Sequence, residues 1–192
     1  HTAGTFSAGA STVTFTATST QTITSKGGVF AHVIFNGNGG TWNLGDQFAS
    51  TGNFTVTQGT VNTTAGNYGL YVGSDVVING GGLMLNASTL TVVGSWELSG
   101  GNFEAGTSTV QFSLNNKDRK LTSGGKPFYH LAVGLKGAYW PTVYLQDSLT
   151  INGNVTLGGV MDTGNDQPLI INGDMHNTNE GNLDFNNSNL TI

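Results

Sequence analysis

The chain contains no cysteine, so it can hold neither disulfides nor a thiolate metal site. Charge is almost as scarce, with Asp, Glu, Lys and Arg making up 9% of 192 residues, against about 25% in ordinary soluble domains. Six residues are Lys or Arg and the net charge is −5. That is too little positive charge for the basic footprint that nucleic acid requires, and a nucleic-acid partner is excluded on this reading. No apolar run approaches the ~18 residues of a membrane helix, so no membrane span is expected. Apolar residues nowhere recur at i, i+3, i+4 and i+7 over three turns, which argues against helices. The chain begins at His1 without an initiator Met, as a processed mature chain or a piece of a longer one would.

What remains is Gly, at 30 positions, with Thr, Ser and Asn, around an apolar content of 36% that suffices for a core. Short runs of alternating character follow one another along the chain, among them Val13-Thr14-Phe15, Phe54-Thr55-Val56, Leu70-Tyr71-Val72, Val76-Val77-Ile78 and Leu90-Thr91-Val92. Each places two apolar side chains on one face of a strand. Between them stand Asn and Gly clusters such as Asn36-Gly37-Asn38-Gly39-Gly40 and Asn79-Gly80-Gly81-Gly82, which suit turns requiring positive φ. Phe15, Phe35, Val56, Ile78 and Leu98 recur every 20 to 22 residues, the spacing of a coil whose inward side chains stack rung upon rung.

The sequence is also duplicated. Phe6-Ser7-Ala8-Gly9-Ala10-Ser11-Thr12-Val13-Thr14-Phe15 returns 97 residues later as Phe103-Glu104-Ala105-Gly106-Thr107-Ser108-Thr109-Val110-Gln111-Phe112. Phe30-Ala31-His32-Val33 returns as Phe128-Tyr129-His130-Leu131, and Gly52-Asn53-Phe54-Thr55-Val56 as Gly153-Asn154-Val155-Thr156-Leu157. Two copies, 1–100 and 101–192, are therefore expected to form one all-β solenoid of the parallel β-helix kind, about five coils per copy and roughly 48 Å long at ~4.8 Å per coil. Tandem immunoglobulin-like sandwiches have the same repeat length and are the alternative. Against them, Val92-Val93-Gly94-Ser95-Trp96-Glu97-Leu98-Ser99-Gly100 joins the copies with strand and turn and no linker.

Phrases such as Ala10-Ser11-Thr12-Val13-Thr14-Phe15, Thr51-Gly52-Asn53-Phe54-Thr55-Val56 and Gly106-Thr107-Ser108-Thr109-Val110-Gln111-Phe112 resemble the β-strand-repeat segments of large secreted prokaryotic surface proteins. The resemblance covers almost the whole chain as a style of sequence, without a diagnostic motif. It implies an extracellular or cell-surface β-helix used for adhesion, coating or fibre formation, and it implies no catalytic residues.

Chemistry is sparse on the residues themselves. His32 and His130 are echoes of one position, as are Asp46 and Asp147; a catalytic group is seldom needed once per repeat, so these read as structural and the chain is not expected to be an enzyme. No cofactor is implied. Asp162 and Asp166 lie in an oxygen-rich turn of the type that holds calcium. The spacing fails that of an EF-hand, and the equivalent turn Asn62-Thr63-Thr64-Ala65-Gly66 lacks both carboxylates. Sequons at Asn53, Asn86, Asn154 and Asn186 are matched between copies and are candidate glycosylation sites. Tyr139 and Trp140 have no aromatic counterpart in the first copy and are the candidate ligand contacts, suited to stacking on a glycan.

The two ends nearly complete one another. His1-Thr2-Ala3-Gly4-Thr5-Phe6 aligns with Leu98-Ser99-Gly100-Gly101-Asn102-Phe103, whereas the second copy runs out at Asn189-Leu190-Thr191-Ile192. An unfinished coil exposes unpaired backbone groups that another chain can satisfy. His1 to Phe6 and Asn189 to Ile192 are accordingly the expected contacts of a head-to-tail homopolymer, unless a longer parent chain supplies the missing coil. The functional expectation is an extracellular filament subunit or surface-adhesin segment, with a carbohydrate- or surface-binding module as the alternative.

Overall fold

The computed structural model describes residues 6–136, 141–178 and 181–192. Its first copy holds β1 (Thr12–Phe15), β2 (Thr20–Ile23), β3 (Val29–Phe30), β4 (His32–Leu44), β5 (Phe48–Ser50), β6 (Phe54–Asn62), β7 (Leu70–Val72), β8 (Val76–Met84), β9 (Thr89–Val92) and β10 (Trp96–Glu104). The second holds β11 (Thr109–Asn115), β12 (Arg119–Thr122), β13 (His130–Lys136), β14 (Thr142–Leu145), β15 (Leu149–Ile151), β16 (Val155–Leu157), β17 (Val160–Asp162), β18 (Leu169–Ile171), β19 (Met175–Asn177), β20 (Asn182–Asp184) and β21 (Leu190–Thr191). No helix occurs among the described residues, and none long and apolar enough to cross a membrane.

Every pairing between these strands is parallel. Sandwiches are built from antiparallel sheets, so that alternative falls and the chain is a β-solenoid. The column expected from spacing is present residue for residue: Phe15 pairs with Phe35, Phe35 with Val56, Val56 with Ile78 and Ile78 with Leu98. Phe35, Val56 and Ile78 are wholly buried. In three-residue strands such as β5, β7, β15 and β16 the outer two side chains point inward and the middle one faces outward, as the twofold period of a strand requires.

Each coil of the first copy has three faces. The long strands β4, β6, β8 and β10 turn a corner at a glycine-rich bulge, where register shifts at Asn36 to Thr41 in β4 and at Leu98 to Asn102 in β10. Their two halves form two faces, and β3, β5, β7 and β9 form the third. At the bulge the coils approach too closely for side chains. Gly101 has φ +79°, and a Cβ there would fall 2.0 Å from the carbonyl oxygen of Gly81.

The second copy is rotated by one face relative to the first. The pair β1 and β4 lies in the ten-stranded sheet, but its echo, β11 and β13, lies in the eight-stranded sheet. Likewise β5, β7 and β9 belong to the eight-stranded sheet, whereas their echoes β15, β18 and β21 form the three-stranded one. From Thr12 to Thr109 the chain passes fourteen faces, or four and two-thirds turns, where five whole coils were expected. The solenoid therefore stacks nine rungs along the ten-stranded sheet, roughly 40 Å at ~4.8 Å per rung, instead of ten.

Candidate functional site

His32 and His130 build corners. The Nδ1 of His32 accepts the main-chain N–H of Asn53 at 3.0 Å, and that of His130 accepts the N–H of Asn154 at 2.8 Å. The same device continues from coil to coil with other side chains. Asn53 Oδ1 accepts from Asp75 N at 3.4 Å, Asp75 Oδ1 from Ser95 N at 2.8 Å and Ser95 Oγ from Lys120 N at 3.0 Å. In the second copy Asn154 Oδ1 accepts from Asp174 N at 3.0 Å. Where a strand ends at a corner, its sheet hydrogen bonds lapse and the partly buried N–H needs another acceptor. Any short acceptor serves, which is why His, Asn, Asp and Ser alternate in one structural role.

Asp46 and Asp147 close a second corner. The carboxylate of Asp46 accepts from Ser25 N at 2.8 Å and Lys26 N at 2.6 Å, and that of Asp147 from Ser123 N and Gly124 N, both at 2.7 Å. Beneath them Ser25 Oγ donates to Gln47 O at 2.9 Å and Ser123 Oγ to Ser148 O at 3.0 Å. The equivalence of these pairs is legible in the repeat, but their hydrogen-bonding partners are not.

Asp162 and Asp166 hold their own turn and the next coil. Asp162 Oδ1 accepts from Gly164 N at 2.6 Å and Asn186 Nδ2 at 2.8 Å, and Asp166 Oδ1 from Asn187 N at 3.0 Å. Among the described residues, His, Asp and Glu nowhere gather in a group of three or more able to hold a metal. Of the sequon asparagines, Asn86 and Asn186 both have positive φ and direct their Nδ2 to the preceding coil, Asn86 to Asn62 Oδ1 at 2.8 Å and Asn186 to Asp162 Oδ1. Asn53 and Asn154 are half-buried in the corner ladder described above. Tyr139 and Trp140 lie outside the described residues, as do His1, Thr2, Ala3, Gly4 and Thr5.

Apart from outward-facing side chains such as Tyr71 and Ile170, apolar exposure concentrates at the two ends of the rod. Phe6 is 37% exposed, yet its echo Phe103 is 3% exposed; Ile192 is 65% exposed, yet its echo Val92 is fully buried. Phe15, Ile23 and Phe30 are half-buried where Phe112, Leu121 and Phe128 are wholly buried. The difference is position alone. Phe103, Phe112 and Phe128 lie in the middle of the rod, against the last coil of the first copy.

At the amino-terminal end, Phe6, Val13, Phe15, Ile23 and Phe30 line an open apolar hollow of about 280 Å³. Its counterpart inside the rod is occupied by the indole of Trp96, which lies edge-on to Phe103 at 4.8 Å and to Phe128 at 5.1 Å between ring centres. Trp96 Nε1 is buried without a hydrogen-bond partner, so that interior site selects for shape and apolar surface. At the other end β19, β20 and β21 are edge strands of the three sheets, with Met175, Phe185 and Ile192 exposed. The expected contacts Phe6 and Asn189 to Ile192 fall on these end surfaces. The exposure of both ends could be anticipated from the repeat offset, but the hollow required the fold. Compared with known proteins, the chain matches no family model, no curated protein and no solved structure.

Proposed function

We propose that this chain is a structural building block of an extracellular or cell-surface fibre, with its two ends as the working surfaces. The observation that carries this reading is the contrast between echo residues: the positions exposed at the ends are the ones buried where copy meets copy within the chain. Apolar side chains beside unpaired strand edges invite another coil, because covering them gains both main-chain hydrogen bonds and apolar burial. The lateral surface supports the same reading, being poor in charge and rich in Thr, Asn and Gly, with His32, His130 and carboxylates such as Asp46, Asp75 and Asp147 engaged in holding coil to coil. Heterologous contacts of this kind generate open fibres unless their rotation closes a ring.

Negative-stain electron microscopy of the purified chain tests the reading. Unbranched fibres one solenoid wide, lengthening with protein concentration, are expected. A monodisperse monomer at millimolar concentration, above all one that binds glycans, would overturn it.

A further inference from the structure

The junction between the two copies is a template for a joint between molecules. Within the chain, β9 of the first copy pairs in parallel with β11 of the second: Thr89 with Thr109, Leu90 with Val110, Thr91 with Gln111 and Val92 with Phe112. Beside it, Phe103 pairs with Leu83. The echo of β9 is the edge strand β21, and the echo of β11 is the edge strand β1. Both edges are free among the described residues, one at each end of the rod.

We propose that β21 of one molecule pairs in parallel with β1 of a second copy of this chain, in the register Asn189 to Thr12, Leu190 to Val13, Thr191 to Thr14 and Ile192 to Phe15. This rests on the fibre reading above and specifies its contact. Leu183 of the first molecule then meets Phe6 of the second, as Leu83 meets Phe103 within the chain. Six apolar side chains that are wholly or partly exposed at the ends, Phe6, Val13, Phe15, Leu183, Leu190 and Ile192, are covered together.

The joint also fixes the rotation. β1 belongs to the first face of its coil and β21 to the second, so each added molecule turns by a third of a turn relative to straight stacking. Its rise is nine and one-third coils, roughly 45 Å at ~4.8 Å per coil. The third face stays unpaired in this joint, because no described residue at either end corresponds to Trp96-Glu97-Leu98. The strand left bare there is β19, which carries the exposed, polar Asn177 where its echo is the buried Ile78. Asn177 Nδ2 donates to Gly181 O within its own coil. The polar substitution falls on the face that this joint leaves open to water.

The absence of cysteine makes the register directly testable. Neighbouring parallel strands are ~4.8 Å apart, within the Cα separation of roughly 4.4–6.8 Å that a disulfide spans. Thr14 is exposed and faces outward on β1, as Thr191 does on β21, so Thr14→Cys with Thr191→Cys leaves the core intact. On oxidation at concentrations where the wild type assembles, this double variant should give a ladder of covalent multimers, while each single variant stops at a dimer. Straight stacking would instead place β2 over β21, so Thr22→Cys with Thr191→Cys is the control and should give no ladder. Asn189→Cys with Thr12→Cys repeats the test in the same register should the first pair disturb folding, judged by circular dichroism of the reduced protein. A ladder from the control pair, or from neither register pair while wild-type fibres are seen, overturns this joint and leaves the fibre reading standing. A wild type that stays monomeric overturns both.

Discussion

Phe15 and Phe112 are the same residue of the repeat in two environments, and replacing each with alanine measures what a covering coil is worth. Phe112 is wholly buried, between Val92 on one neighbouring strand and Val133 on the other. Removing its ring forfeits transfer free energy and leaves a cavity walled on all sides, about 3–5 kcal/mol. Phe15 is stacked on Phe35 at 4.9 Å between ring centres and meets Phe30 edge-on at 6.0 Å, but its other side opens on the terminal hollow. With one side already facing water, its loss should cost about half as much, roughly 1.5–2.5 kcal/mol. For a chain of this size each kcal/mol lowers Tm by about 2–4 °C, so Phe112→Ala should melt roughly 6–20 °C below wild type and Phe15→Ala roughly 3–10 °C below. Thermal unfolding followed by far-ultraviolet circular dichroism and by tryptophan fluorescence gives both values, the two probes guarding against coils that unfold in parts. The comparison belongs at low micromolar concentration, where sedimentation shows monomers. As concentration rises and β21 of a neighbour covers Phe15, the cost of Phe15→Ala should grow toward that of Phe112→Ala. Equal costs at the lowest concentration would refute the argument, since Phe15 would then already be covered in the monomer.

The remaining expectations concern the corners and the glycine bulge. Asp147→Ala orphans the N–H of buried Ser123, while that of exposed Gly124 is recovered by water; the cost should be about 2–3 kcal/mol in urea unfolding, and no loss would show that the carboxylate holds nothing. His130→Ala removes one acceptor from the half-buried N–H of Asn154 and should cost about 1 kcal/mol, with His32→Ala matching it in the first copy. Gly101→Ala combines φ +79° with a Cβ 2.0 Å from Gly81 O, whereas Gly9→Ala has φ +55° and open space. The first should cost at least ~3 kcal/mol and the second about 1–2 kcal/mol by the same melts; similar values for both would mean that the bulge relaxes freely.

Much of this architecture lies on the surface of the sequence, because a solenoid repeats one local problem many times. Alternation names the strands, Asn and Gly mark the corners, and the 20-residue recurrence from Phe15 to Leu98 gave the inward column residue for residue. The duplication similarly marked His32, His130, Asp46 and Asp147 as echoes before any hydrogen bond was visible. Their partners were not legible, since each acceptor serves an N–H about 20 to 24 residues away whose need arises only where a strand ends at a corner.

The rotation between the copies was decided by tertiary structure alone. Sequence spacing counts residues per coil but not faces per coil, and the third face exists because the long strands bend at bulges such as Asn36 to Thr41. Fourteen faces divided among three leave a remainder, so the second copy cannot fall into phase with the first. By itself the sequence determined that coils stack and which side chains face inward, because both follow from local periodicity. How one copy seats on the next depends on the shape of the coil, which only the packed backbone fixes.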